Sequence, residues 1–97
     1  MSVRWTEHAA AEVAEIQAYL AQFSERAASR TAQVIARRGR QLELFPESGR
    51  IVPEFGELHI REVFAPPYRI VYRLTDDGVE VLAVRHGRRR MELDLEM

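Results

Sequence analysis

Apolar residues recur at Ala9, Val13, Ile16, Leu20 and Phe23, in steps of four, three, four and three. That spacing is the period of one helical face. Thr6 stands before the run as an N-cap, and Glu7 falls in the first turn, where the helix dipole favours an acid. Ser24 and Glu25 repeat this opening, and Arg26 to Leu44 reads as a second helix with a thinner stripe of Ala28, Ala32, Ile35 and Leu42. Gly39 interrupts that helix at a cost of about 1 kcal/mol relative to alanine. The short link between the two helices predicts an antiparallel hairpin. Alanines at 9–11, 27 and 28 let its arms approach closely. Phe45-Pro46 ends the second helix.

The period then changes. Pro46-Glu47-Ser48-Gly49 is a turn, and the run from there to Gly56, with Pro53 inside it, has loop chemistry. Leu58, Ile60 and Phe64 alternate with His59, Arg61 and Val63 until Pro66-Pro67 breaks the strand. Tyr68, Ile70, Tyr72 and Leu74 share one face of the next strand, and Arg69, Val71 and Arg73 share the other. Thr75-Asp76-Asp77-Gly78 is a hairpin turn. Val79 to His86, apolar on both faces for most of its length, reads as an interior strand. Val3-Arg4-Trp5 is a short opening strand, and Met91 to Met97, alternating acids with Leu and Met, is expected to fray or dock weakly. The order β-α-α-β-β-β predicts an α+β fold, an antiparallel sheet with the helical hairpin packed on one face. Residues 1–97 are expected to form a single domain around one core.

Composition narrows the chemistry. With no cysteine there is no disulfide framework and no thiolate metal site. No run approaches the roughly 18 apolar residues of a membrane span. Met1-Ser2-Val3-Arg4-Trp5 lacks the apolar stretch of a signal peptide, so a cytoplasmic protein is expected. Net charge is −1, yet all 14 basic residues are arginine. The bland reading of the missing lysines is a GC-rich coding bias, which favours arginine codons. The chemical consequence is the same: arginine grips phosphate or carboxylate with two N–H groups but cannot serve as a general base. Asp76 and Asp77 belong to a turn, and Glu12 and Glu15 have no histidine at ligand spacing, so no metal is expected. Gly87 is isolated and makes no phosphate loop, and no cofactor is implied.

Four stretches carry a family resemblance. They are Val3-Arg4-Trp5-Thr6 before an Ala/Glu helix, Phe45-Pro46-Glu47-Ser48-Gly49-Arg50 with Val52-Pro53-Glu54, Ile60-Arg61-Glu62, and Tyr68-Arg69-Ile70-Val71-Tyr72-Arg73 followed by Val81 to Gly87 with its His86-Gly87. In this order and spacing they resemble the RelE/ParE toxin superfamily over nearly the whole chain, with its ParE-like branch favoured. The resemblance implies the toxin half of a type II toxin–antitoxin module. A small antitoxin would neutralise it, with a toxin–antitoxin heterotetramer as one form of the assembly, and no membrane is involved. ParE-like members act on DNA gyrase and are not nucleases. RelE-like members cut mRNA in the ribosomal A site.

Candidate site residues follow from the strands and from that resemblance. Arg61, Arg69, Arg73 and Arg85, continued by Arg88, form a candidate basic patch on the open side of the sheet, able to hold phosphate or an acidic antitoxin tail. The plain alternative is a solvated face whose arginines pair with Glu54, Glu57 or Glu62. Arg69 falls where the resemblance places an arginine on a nuclease's transition-state phosphate. Metal-free RNA cleavage also needs a base and an acid. RelE-like enzymes take these from lysine, glutamate, histidine or a C-terminal tyrosine. Here lysine is absent and no tyrosine follows Tyr72, leaving Glu54, Glu62, His59 and His86. A nuclease would thus use Arg69, His86, Arg61 and Glu54, whereas a non-nuclease would use His86 only as a strand-end residue. Phe55 is a candidate exposed partner contact, His8 is expected to be exposed, and Tyr72 and Phe64 are expected in the core.

Overall fold

The computed structural model describes residues 2–93. They form β1 (Ser2–Trp5), α1 (Glu7–Ala21), α2 (Glu25–Gln41), β2 (Arg50–Ile51), β3 (Ile60–Ala65), β4 (Tyr68–Thr75) and β5 (Gly78–His86). Both expected caps are made: Thr6 Oγ1 accepts from the Ala9 amide and Ser24 Oγ from the Ala27 amide, each at 3.1 Å. Each satisfies an N–H that the first helical turn leaves without a partner, and loss of either costs about 1 kcal/mol. The stripe of α1 is shorter than its spacing suggests. The helix ends at Ala21, and Phe23 lies beyond it, 73 % exposed, edge-to-face with Tyr19.

The five described strands form one sheet in the order β1-β5-β4-β3-β2. Two features depart from expectation. β1 runs parallel to β5, so the sheet is mixed. The whole chain from α1 to β4 separates this pair, so no hairpin forces an antiparallel direction. β2, antiparallel to β3, lies in the stretch expected to be loop. Two residues are too few to show a period.

Register decides which side chains share a face. β3 pairs with β4 as Ile60↔Arg73, Glu62↔Val71 and Phe64↔Arg69. Even-numbered residues of β3 therefore lie with odd-numbered residues of β4. Val63, Ala65, Ile70 and Tyr72 join Ile35 and Leu42 of the helical layer in the main core. Phe64 points the other way, 39 % exposed, with the Arg50 guanidinium 5.2 Å from its ring centre. The expectation that it shares the burial of Tyr72 fails because matching number parity across a hairpin does not guarantee a common face.

The sheet face away from the helices is not bare. Val52, Ile60, Val71, Leu82, Ala83 and Met91 form a second small core there, with Phe55 and Leu93 packed against it. Leu82 joins it because the β4–β5 register slips between Val71 and Tyr72, leaving Leu82 without an opposite partner. Met91 is 1 % exposed, so this part of the terminal segment docks firmly rather than frays. Residues 94–97 of the same expectation lie outside the described residues.

Two glycines mark close approaches. A Cβ on Gly39 would lie 2.6 Å from the Trp5 ring, so the glycine within α2 is the seat on which β1's tryptophan rests. A Cβ on Gly49 would lie 2.6 Å from both the Glu62 carbonyl oxygen and the Tyr72 hydroxyl. That hydroxyl accepts from the Gly49 amide at 2.9 Å and donates to the Pro46 carbonyl at 2.7 Å. The Pro-Glu-Ser-Gly turn is thus held by a buried tyrosine two strands away.

Candidate functional site

Strands β3 and β4 bring Glu62 and Arg69 together on the sheet face away from the helices, and the loop after β2 adds Glu54. Arg69 Nε donates to Glu62 Oε1 at 2.6 Å, while Nη1 and Nη2 each donate to one Glu54 oxygen at 2.9 Å. Nη1 also donates to the Arg89 carbonyl at 3.2 Å. The second oxygen of Glu62 accepts from Arg50 Nε at 2.6 Å, and the Met91 amide donates to Glu54 at 2.9 Å. Arg69 is 5 % exposed and Glu62 1 %. A buried carboxylate and guanidinium persist only when paired and hydrogen-bonded, and here both conditions hold.

Protonation follows from that geometry. The Arg69 hydrogen bonds, then that of the Met91 amide, hold the Glu54 carboxyl at about 2, well below the ordinary carboxylate range. The same carboxylate pushes Arg69 above its already high value. Glu54 is therefore a weak proton acceptor, and Arg69 has most of its donors committed inside the protein.

The open cationic patch expected from the strands is not what forms. Arg61 faces the helix side, opposite Tyr72 in register. Its guanidinium donates to the carbonyls of Leu58 and Gly49, both at 3.1 Å, tying two loops together. Arg73 shares the face of Arg69 but pairs with Glu80, which also holds Arg4. Arg73 first, then Arg4, keep the Glu80 carboxyl below its usual range. Arg85 donates to Glu12 at 2.9 Å and to the Glu92 carbonyl at 3.0 Å, and it approaches His8 Nε2 at 3.2 Å. The other Glu12 oxygen accepts the Val84 amide at 3.1 Å, closing the edge of β5 beyond the end of β1. These arginines are engaged by intramolecular carboxylates and carbonyls, but only Arg69 pairs with Glu54 and Glu62; Arg73 takes Glu80, Arg85 takes Glu12 and Arg61 takes backbone carbonyls.

The remaining candidates are scattered. His86 sits exposed at the end of β5, edge-to-face with Tyr68, its Nδ1 accepting the Arg88 amide at 3.2 Å. Arg88 is exposed beside it, and His59 is exposed in the turn before β3. Phe55 is half-buried against the second core, so it is not the exposed contact its loop position suggested. Of the nuclease set, the fold unites Arg69 with Glu54, leaves His86 at a strand end and puts Arg61 on the opposite face. Among the described residues no cluster could hold a metal, and no helix is long and apolar enough to cross a membrane.

Reading along the strands finds the exposed Arg88 but misses a second group of free basic side chains. Arg26, Arg30, Arg37 and Arg40 on α2 are all exposed. Among the described residues none of them has a hydrogen-bond or ion-pair partner. The signal was available: steps of four, seven and three on a helix, opposite Ala28, Ile35 and Leu42.

Comparisons with known proteins agree with the fold. Residues 3–91 match the family model described as the ParE toxin of the type II toxin–antitoxin system, parDE. The chain is 36% identical over 88 residues to a protein named Toxin RelE2 from Caulobacter vibrioides, covering 90% of this chain and 96% of that one. Among solved structures, a chain of the chromosomal ParDE system from P. aeruginosa superposes with a TM-score of 0.72 at 21% identity, covering 89% of this chain and 95% of that one. A chain of the RelBE2 toxin–antitoxin complex from Mycobacterium tuberculosis gives 0.64 at 21% identity, covering 88% and 95%.

Proposed function

This chain belongs to the ParE toxin family of type II toxin–antitoxin systems, and from that premise we propose that it arrests growth by binding DNA gyrase, without being an enzyme, until a cognate antitoxin neutralises it. The observation that carries this reading is the Arg69–Glu54–Glu62 lock. A ribonuclease needs a cation free to meet the scissile phosphate and a base able to take the 2′-hydroxyl proton. Here the best-placed cation and the nearest carboxylate consume each other, and Glu54 stays ionised down to about 2. A toxin that works by binding needs neither group. The antitoxin partner is supported by the relatives of like fold, which come from a ParDE toxin–antitoxin system and a RelBE2 toxin–antitoxin complex.

A second reading, mRNA cleavage at the ribosome, is favoured by the RelE2 name of the relative at 36% identity. One pair of assays separates the two. Purified toxin added to gyrase at micromolar concentration is expected to block supercoiling and accumulate cleaved DNA. Unchanged supercoiling with no cleaved complex overturns the gyrase reading. Primer extension on translated mRNA is expected to show no cuts; codon-located cuts made by the wild-type toxin establish the nuclease instead.

A further inference from the structure

Charge in this protein is segregated in a way its net value of −1 conceals. Helix α1 carries three glutamates and no arginine, while α2 carries five arginines against one glutamate. The sheet arginines Arg4, Arg50, Arg69, Arg73 and Arg85 are each held by a carboxylate. Arg38 is turned onto β3, its Nε donating to the Phe64 carbonyl at 2.9 Å. Arg26, Arg30, Arg37 and Arg40 have no such partner among the described residues. At about 100° per residue these four fall within an arc of about 80°, diametrically opposite the stripe buried against the core. The row is about 21 Å long at 1.5 Å per residue.

We propose that this arginine row on the outer face of α2 is a docking surface for the phosphate backbone of duplex DNA, separate from whatever surface meets a protein target. Three features point to a polyanion of this kind. The side chains between the arginines on that face, Ser29 and Gln33, are short or polar and exposed, so no apolar centre of a protein–protein interface is present. Interfaces with DNA are polar and strongly positive, as this exposed face is. No aromatic side chain lies on α2, and single-stranded nucleic acid needs such platforms for its bases to stack on. Guanidinium groups without internal partners also keep their full capacity for two-pronged phosphate contacts. The choice of a phosphate backbone over a peptide rests on these features alone. The choice of DNA over RNA rests on the proposed function, whose target holds duplex DNA.

The test is direct binding, independent of gyrase. Full-length toxin is titrated into a fluorescein-labelled 30-base-pair DNA duplex of mixed sequence, followed by anisotropy over a range of salt. Four phosphate contacts predict a slope of log K against log salt of about −3.6. The quadruple variant Arg26→Gln, Arg30→Gln, Arg37→Gln, Arg40→Gln should lose that slope and weaken binding at least about 100-fold at low salt. The corresponding quadruple Lys variant, which keeps the charge, should retain both, and circular dichroism should show all three proteins equally folded. Binding by the Gln variant equal to wild type overturns the proposal. So does polyglutamate bound as tightly as DNA, which would make the row a protein-binding surface, or duplex RNA bound tenfold more tightly than DNA. Gyrase inhibition lost in a protein that still binds DNA through this row would refute the proposed function and leave this inference standing.

Discussion

Arg69 and Glu54 meet as a fork on a fork, both nitrogen–oxygen distances 2.9 Å, on the sheet face away from the helices. The pair joins three separate parts of the chain. Arg69 belongs to β4, Glu54 to the loop after β2, and the Met91 amide to the segment after β5. It is a fastener for the second small core as much as a charged group.

The acid stability of the protein should report this fastener. The folded carboxyl of Glu54 sits at about 2 against an ordinary 4.5. A depressed value means that its contribution is complete above the unfolded value and is lost as pH falls towards the folded one. Wild type should therefore melt higher than Glu54→Gln at pH 6, and the gap should close between pH 4.5 and pH 2. A gap constant across that range in scanning calorimetry would show that Glu54 contributes no linked proton.

Removing Arg69 alone should damage the fold. Glu62, 1 % exposed, would keep only Arg50 as a partner. Breaking a buried pair from one side costs about 3–5 kcal/mol, so Arg69→Met should fall near that range in urea unfolding. The double variant Arg69→Met with Glu62→Leu removes both buried charges and should recover most of the loss. Growth arrest abolished in Arg69→Met but present in the double variant would show that Arg69 serves stability rather than chemistry.

The tyrosine under the Pro46–Gly49 turn makes a more local prediction. Tyr72→Phe keeps the ring but deprives the Gly49 amide of its acceptor and the Pro46 carbonyl of its donor. A buried group left without its partner costs about 1–3 kcal/mol. Hydrogen exchange at the Gly49 amide should accelerate, while amides at the centre of β5 keep their protection apart from the global loss. An unchanged Gly49 rate would mean that the turn is held by something else.

The element order was legible because it depends on local signals: Thr6 and Ser24 as caps, the α1 period, and the Asp76-Asp77 turn. What failed depends on partners distant in sequence. Phe64 and Arg61 lie on faces opposite to those their sequence parity suggests, because the register across Pro66-Pro67 is a pairing property, invisible in either strand alone. Glu54 and Glu62 were legible as possible partners of Arg69, but the Met91 amide that completes the arrangement was not, because no strand period brings that terminal segment to it. Met91 looked like a fraying end because its socket of Val52, Ile60 and Val71 exists only once the sheet has formed. The row on α2 differs: its spacing is readable in the sequence alone, because it depends only on the helical period.

Gly39 allows a prediction whose sign reverses with one neighbour. By helix propensity alone, Gly39→Ala should stabilise α2 by about 1 kcal/mol. The added methyl, however, would lie 2.6 Å from Cζ2 of Trp5, far inside van der Waals contact. The indole is half-buried against the main core and cannot withdraw without disturbing β1, whose parallel pairing with β5 it anchors. Overpacking of this kind costs about 1–3 kcal/mol, so it should outweigh propensity and leave Gly39→Ala less stable, with altered tryptophan emission. In a Trp5→Leu background the obstruction is gone, and the same Gly39→Ala change should become stabilising by up to about 1 kcal/mol. Destabilisation of equal size in both backgrounds would mean that the glycine answers to the backbone of α2 and not to the ring resting on it.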